Sequence, residues 1–324
     1  MIYNFDDEKI FYSGRWAPYA MAMTTTATGS YFEFKAKGEY VLLKFNMDYH
    51  VGPYPRLYIS VDGKSLIESA VDSFIRIVLP DNDFHTIKVL FKSTLEGLNR
   101  WAFPIISKIS LESIEAEEIA APEPDNRKVI EFVGDSITEG VLTDPDLQNK
   151  YIIEPFNRAT QDDVTTTYAY LTAKNLGLRS VHMGYGAVGV TKGGNGGVPK
   201  ASESYPYCFN GQKVTYDHPD YILINHGAND TGASDEQYVK DYGALLDVIF
   251  NLHPNSKVIA LTSFRYAHGD ALKEFIKEYN EKNKKDILFV SSKDWVDFEP
   301  LHPTREGHKT IAEKLTNALK PYIK

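Results

Sequence analysis

The feature that most limits the fold is a change of rhythm at Arg127. Before it, apolar residues come in short β-branched and aromatic runs: "YFEFKAKGEYVLLKFNMDY" (31–49), "RLYISVDGKS" (56–65), "SFIRIVLP" (73–80) and "FHTIKVLFKS" (84–93). Asp62-Gly63 and "PDND" (80–83) are turn chemistry between them. Short strands at this spacing predict an antiparallel sandwich or jelly roll over residues 1–116. The stretch "AEEIAAPEPDNR" (116–127), rich in proline and acid, reads as a connector, with the linker proper at 117–127.

After Arg127, strands alternate with helices. The pattern predicts strands at 128–133, 180–184, 220–226, 256–263 and 286–291, and helices near 164–177, 234–252, 270–284 and 304–321. Ser234 and Gln237 have the spacing of a capping box, and Tyr238, Tyr242, Leu245, Leu246 and Ile249 share one helical face. This alternation predicts an α/β domain over 128–324, a parallel sheet with helices on both sides. Ligands of such sheets bind at the carboxyl ends of the strands.

Composition narrows the partners. A net charge of −9 and the absence of basic stripes argue against nucleic acid. Cys208 is the only cysteine, which excludes an internal disulfide and a thiolate metal cage. The start "MIYNFDDEKI" lacks the basic and apolar regions of a secretory signal, and no apolar run reaches the ~18 residues of a membrane span. A cytoplasmic protein without membrane partners is the expectation. With no H-E-x-x-H or paired-histidine spacing, neither a metal nor another cofactor is required.

Four segments fall at the predicted strand ends: "GDS" (134–136), "GYGAVG" (184–189), "GAND" (227–230) and "LHPTREGH" (301–308). A serine in the tight turn after a strand has its hydroxyl held at the open end of the sheet. It becomes a nucleophile if an imidazole takes its proton and donors receive the negative charge. These four blocks, in this order, resemble the SGNH, or GDSL, hydrolase superfamily of serine esterases and lipases, over about the last 200 residues.

The resemblance implies a flavodoxin-like three-layer αβα domain. It also implies that Ser136 is the nucleophile and His302 the general base. The oxyanion would be held by the Ser136 and Gly189 N–H groups and the Asn229 side-chain amide. Asp135 is expected to brace the nucleophile turn through backbone amides. The family's acid sits three residues before the histidine, and that position is Glu299. Asp297 and a backbone carbonyl near Trp295 are the alternatives for orienting His302. His308 and His226 read as structural.

"GYGAVG" is also literally the G-x-G-x-x-G dinucleotide fingerprint. The glycine- and proline-rich "TKGGNGGVPKASESYPY" that follows cannot be the helix this fingerprint must open. The loop reads instead as a rim of the substrate site.

A β-sandwich joined to such a domain is similar to carbohydrate esterase family two, and "FYSGRW" (11–16), "VDG" (61–63) and "RKVIEFVGDSIT" (127–138) echo that pattern. Where that family carries a cysteine after the nucleophile block, this chain has Glu139. The resemblance implies a serine esterase releasing short acyl groups, acetyl foremost, from a small or oligosaccharide ester. A lipase- or arylesterase-like hydrolase or an acyltransferase would use the same residues. A carbohydrate-binding protein with a lapsed esterase half is the alternative of a different class.

Overall fold

A computed structural model describes residues 1–64, 66–144, 159–215, 218–297 and 301–323. The N-terminal region is a sandwich of two six-stranded antiparallel sheets. The first orders Ala17–Tyr19, Ala22–Thr25, Ile109–Glu115, Tyr40–Phe45 and Phe74–Val78, with Ile2–Asn4 also paired to Ile109–Glu115. The second orders Glu118–Ala120, Tyr31–Lys37, His85–Ser93, Arg56–Val61 and Ile67–Ala70, with Phe11–Ser13 paired to Tyr31–Lys37. Alternation explains the core: Phe32, Phe34 and Ala36 point inward from one strand and meet Leu43, Phe45, Ile87, Val89, Leu111 and Ile114. The turn at 62–63 joins two paired strands, both residues having positive φ. By contrast, "PDND" carries the chain from one sheet to the other, since Phe74–Val78 pairs with Tyr40–Phe45 and His85–Ser93 with Tyr31–Lys37. The last sandwich strand, Glu118–Ala120, lies within the proline- and acid-rich stretch that read as connector.

The C-terminal region has a five-stranded parallel sheet in the order Arg179–Gly184, Val129–Gly134, Tyr221–Asn225, Lys257–Leu261, Leu288–Val290. Counted from Val129, this is 2-1-3-4-5, the flavodoxin-like order. Side chains of Tyr221–Asn225 alternate between two cores. Ile222 and Ile224 meet Tyr242, Leu245 and Leu246 of helix Asp235–Leu252 and Leu272 and Ile276 of helix Gly269–Asn283. Tyr221 and Leu223 meet Tyr168 and Ala169 of helix Tyr168–Asn175 and Ile311 and Leu315 of helix Arg305–Leu319. Both sheet faces are thereby covered, as continuous apolar strands require.

Two local details depart from the sequence pattern. The helix expected over 164–177 is a 3₁₀ turn at Val164–Thr166 and an α-helix from Tyr168, because Thr167 is extended and caps the second piece through Tyr170 N–H. Ser234 caps its helix through Gln237 N–H at 3.2 Å, but the Gln237 side chain reaches forward to Asp241, so only half the capping box forms.

The halves are tightly joined. The Arg15 guanidinium reaches Glu131 of strand Val129–Gly134 at 2.6 Å, and the Tyr58 hydroxyl donates to Asp163 at 2.8 Å. Gly29 sits against the His182 ring, leaving no room for a Cβ, and Arg179 donates to the Ser13 hydroxyl at 3.2 Å. Among the described residues no helix is long and apolar enough to cross a membrane.

Candidate active site

The reversal of strand order lies between Val129–Gly134 and Tyr221–Asn225, and the chain segments leaving these strands carry Ser136 and Asn229. Ser136 is the first residue of a single-turn helix, Ser136–Glu139. Asp135 caps that turn, its carboxylate accepting the Ile137 N–H at 3.0 Å. Gly140 ends it with φ at 94°, a value that excludes ordinary side chains, and returns its N–H to the Ser136 carbonyl at 3.1 Å. The serine is therefore fixed at both ends of the turn, and among the described residues its own N–H has no partner.

His302 Nε2 lies 2.9 Å from Ser136 Oγ. The imidazole is placed by the start of helix Arg305–Leu319, where Thr304 accepts the Gly307 N–H at 3.2 Å. Arg305 N–H bonds the Thr143 carbonyl at 2.8 Å, tying this helix start to the chain just past the Ser136 turn. Of the three groups considered for orienting His302, Glu299 lies outside the described residues. Asp297 is exposed and makes no hydrogen bond to His302. The Trp295 carbonyl accepts from Lys314 Nζ at 3.0 Å.

Asn229 Nδ2 donates to Asp135 Oδ2 at 3.1 Å and to the Val188 carbonyl at 3.2 Å, which aims the amide between the Ser136 turn and the loop after Arg179–Gly184. Within that loop the geometry separates two residues. The Gly189 N–H goes to the Lys192 carbonyl at 3.0 Å, and a Cβ on Gly189 would lie 2.3 Å from Asp230 Oδ1. Ala187, with φ at 60°, lines the pocket, and among the described residues its N–H has no partner. Gly189 thus serves close packing on Asp230, whose carboxylate also takes the Thr191 N–H at 2.9 Å and the Val190 N–H at 3.3 Å.

Together Ser136, His302, Asn229 and Ala187 enclose a pocket of about 160 Å³, with Asn195 from the glycine-rich loop and Glu96 from the sandwich. Glu96 carries no motif that marks it in the sequence, and Asp230 is marked only as the last residue of "GAND". Glu96 sits in the loop between His85–Ser93 and Ile109–Glu115, and its carboxylate fills the space beside Gly186.

Burial shapes the charges here. Desolvation pushes the Asp135 carboxyl up to about 7; the Ile137 N–H opposes the shift, while the Asp230 and Glu96 charges add to it. Burial lowers His226 to about 4 and His308 to about 3, and the latter is depressed further by His302. Both are neutral at pH 7; His308 Nδ1 accepts the Tyr168 N–H at 3.0 Å and its ring stacks on Tyr168. Among the described residues no group of three or more His, Cys, Asp or Glu could hold a metal.

The model of the GDSL-like lipase/acylhydrolase family matches residues 132–310. No curated protein matches the chain by sequence. Solved structures do. A family two carbohydrate esterase from Clostridium thermocellum in complex with cellohexaose has a TM-score of 0.78 at 20% identity, covering 96% of this chain and 98% of that one. A family two carbohydrate esterase from Cellvibrio japonicus gives 0.79 at 17% identity, over 99% and 97%. The acetyl xylan esterase Est2A from the rumen bacterium Butyrivibrio proteoclasticus gives 0.76 at 16%, over 99% and 98%. Both halves of the chain are included in these matches.

Proposed function

Because the chain belongs to the GDSL-like lipase/acylhydrolase family, and with it to the carboxylic ester hydrolases, we propose that it removes short acyl groups, acetyl foremost, from carbohydrate hydroxyls through an acyl-enzyme on Ser136. The observation that carries this reading is the 2.9 Å contact of His302 Nε2 with Ser136 Oγ inside a pocket that also holds the Asn229 amide.

In this reading Ser136 Oγ attacks the ester carbonyl carbon as its proton passes to His302 Nε2. The carbonyl oxygen becomes an oxyanion, received by the Ser136 N–H, the Asn229 amide and the Ala187 N–H. Asn229 turns one donor from the 3.2 Å Val188 contact toward the oxyanion and keeps Asp135 as its anchor. Collapse breaks the ester bond, and the His302 proton goes to the departing sugar oxygen. Water, deprotonated by His302, then attacks the acyl carbon; collapse breaks the bond to Ser136 Oγ, which takes the proton back from His302 as the acid leaves. Glu299 orients His302, by its position three residues earlier and by the absence of a bond from Asp297.

Two observations favour a small acyl group on a hydroxylated alcohol. The pocket, at about 160 Å³, falls below the roughly 300–1,000 Å³ of drug-sized ligand sites. Its wall carries Glu96 and Asn195, polar groups suited to sugar hydroxyls. Relatives of the same two-domain form include an acetyl xylan esterase and an esterase seen with cellohexaose.

The test is hydrolysis of aryl acetate, butyrate and octanoate, and of acetylated xylo-oligosaccharides, by wild type and Ser136→Ala. Acetate-selective turnover that disappears in the variant supports the reading. A preference for octanoate moves the assignment to a lipase-like hydrolase. Sugar binding with no turnover of any ester favours a lapsed enzyme.

A further inference from the structure

A second pocket, of about 230 Å³, opens between the sandwich and the catalytic domain. It lies toward the opposite end of the sheet from the serine. Arg179 and Ser180, which line it, begin the strand whose far end at Gly184 feeds the loop beside Ser136. A strand of that length spans roughly 20 Å.

Four cations converge on this pocket from four segments: Lys88 from the sandwich, Arg127 from the connector, Lys174 from helix Tyr168–Asn175 and Arg179 from the strand start. Among the described residues no carboxylate lines it, in a chain whose net charge is −9. Neighbouring acids balance only part of the charge. Asp125 holds Arg127 through two bonds of 2.8 and 2.6 Å, and Glu33 stands 4.0 Å from Lys88. Among the described residues Lys174 has no ion pair. Arg179 donates one N–H to the neutral Ser13 hydroxyl, while among the described residues its buried Nε has no hydrogen-bond partner. Lys88 Nζ rests 3.5 Å from the centroid of the Tyr31 ring. Burial lowers the proton affinity of Lys88, and Arg127 and Arg179 lower it further against the pull of Glu33. Geometry and charge agree that the cavity is short of an anion.

We propose that this pocket is a second binding site, taking the carboxylate or phosphate of a sugar-sized anion between Tyr31 and Tyr170. Guanidinium and ammonium groups form their strongest hydrogen bonds with these oxyanions. Tyr31 and Tyr170 line the same cavity and offer the remainder of such a molecule aromatic contact, which a bare inorganic ion would leave unused. The volume suits one ring rather than a chain of them. The proposal does not depend on the catalytic reading.

The experiment is calorimetric titration of the full chain carrying Ser136→Ala, at constant ionic strength, with glucuronate, glucose 6-phosphate, glucose and inorganic phosphate. The expected result is saturable binding of glucuronate or glucose 6-phosphate, the stronger of the two identifying a carboxylate or a phosphate source. Glucose should not bind, and inorganic phosphate should bind about tenfold more weakly than the better sugar anion. Lys88→Met and Lys174→Glu should each weaken binding by about tenfold. Lys174 is exposed, so its variant keeps the fold, checked by an unchanged thermal transition. Failure of both sugar anions to bind, equal binding of glucose or of free phosphate, or undiminished binding in both variants would overturn the proposal.

Discussion

Arg100 of the sandwich and Glu139 of the Ser136 turn form a bidentate ion pair with both side chains buried, and the second Glu139 oxygen also accepts the Gly186 N–H at 2.7 Å. One carboxylate thus fastens the N-terminal half, the serine turn and the loop lining the pocket. Arg100 N–H adds a bond to the Gly196 carbonyl at 3.0 Å. Where the resembling family has a cysteine, this chain has built an inter-domain clasp.

Breaking that clasp on one side strands a buried charge. Arg100→Met should destabilise the protein by about 3–5 kcal/mol, measured by urea unfolding. Adding Glu139→Met should recover part of the loss, because the remaining charge is then gone too. A double variant no more stable than Arg100→Met would mean the pair is not acting as a pair.

Removing residues 1–116 takes away Arg15, Arg100, Tyr58 and Thr28, all bonded to the C-terminal half, together with Glu96 at the pocket. The remaining half should be insoluble or inactive when expressed alone. Full esterase turnover by a monodisperse 117–324 fragment would show the sandwich to be an accessory.

Glu299→Gln should reduce kcat by orders of magnitude with little change in KM, because an unoriented imidazole acts only in the transition state. Asp297→Asn, an exposed side chain without a bond to His302, should leave kcat within about twofold. Steady-state kinetics on one aryl acetate decides the point; the reverse pattern reassigns the acid.

Asp135 gives a pH signature. Its native-state carboxyl is raised to about 7 from an ordinary 3.8, so the folded protein holds this proton more tightly than the unfolded chain. Below about pH 4 the residue is protonated in both states and is neutral to stability. Between pH 4 and 7 the unfolded chain ionises first, and the penalty grows to roughly 4 kcal/mol at most above pH 7. Asp135→Asn removes the penalty, so its Tm relative to wild type should climb between pH 5 and 8, while activity falls as Asn229 loses its anchor. A Tm difference independent of pH would sink this account.

The α/β half was legible because short, mostly apolar strand segments alternate with segments of helical periodicity. Strands expected at 128–133 and 220–226 stand at Val129–Gly134 and Tyr221–Asn225. The sandwich was legible as a class from alternation and turns, but its pairing was not, since "PDND" joins different sheets. Ser136, Asn229 and His302 stood out because each follows a strand end in a recognisable block, and the structure brings them to one pocket. Glu96 and Ala187 could not be found that way. Glu96 reaches the pocket only through the packing of one half on the other, and Ala187 matters through its backbone rather than its side chain. The split between Gly189 and Ala187 depends on where Asp230 puts its carboxylate, a contact no local pattern encodes.

The sheet order has a further consequence for how the chain must be made. Arg179–Gly184 is an edge strand, six residues long, with Gly29 against its His182 ring and Ser13 against Arg179. Exposed edges of this kind recruit strands from other molecules and seed aggregates. The opposite edge, Leu288–Val290, is only three residues long and offers little to pair with. Because the sandwich is synthesised first, the segments that pack beside the longer edge are already made when that strand leaves the ribosome. Circular permutants that place the sandwich last would lose this protection while keeping every native contact.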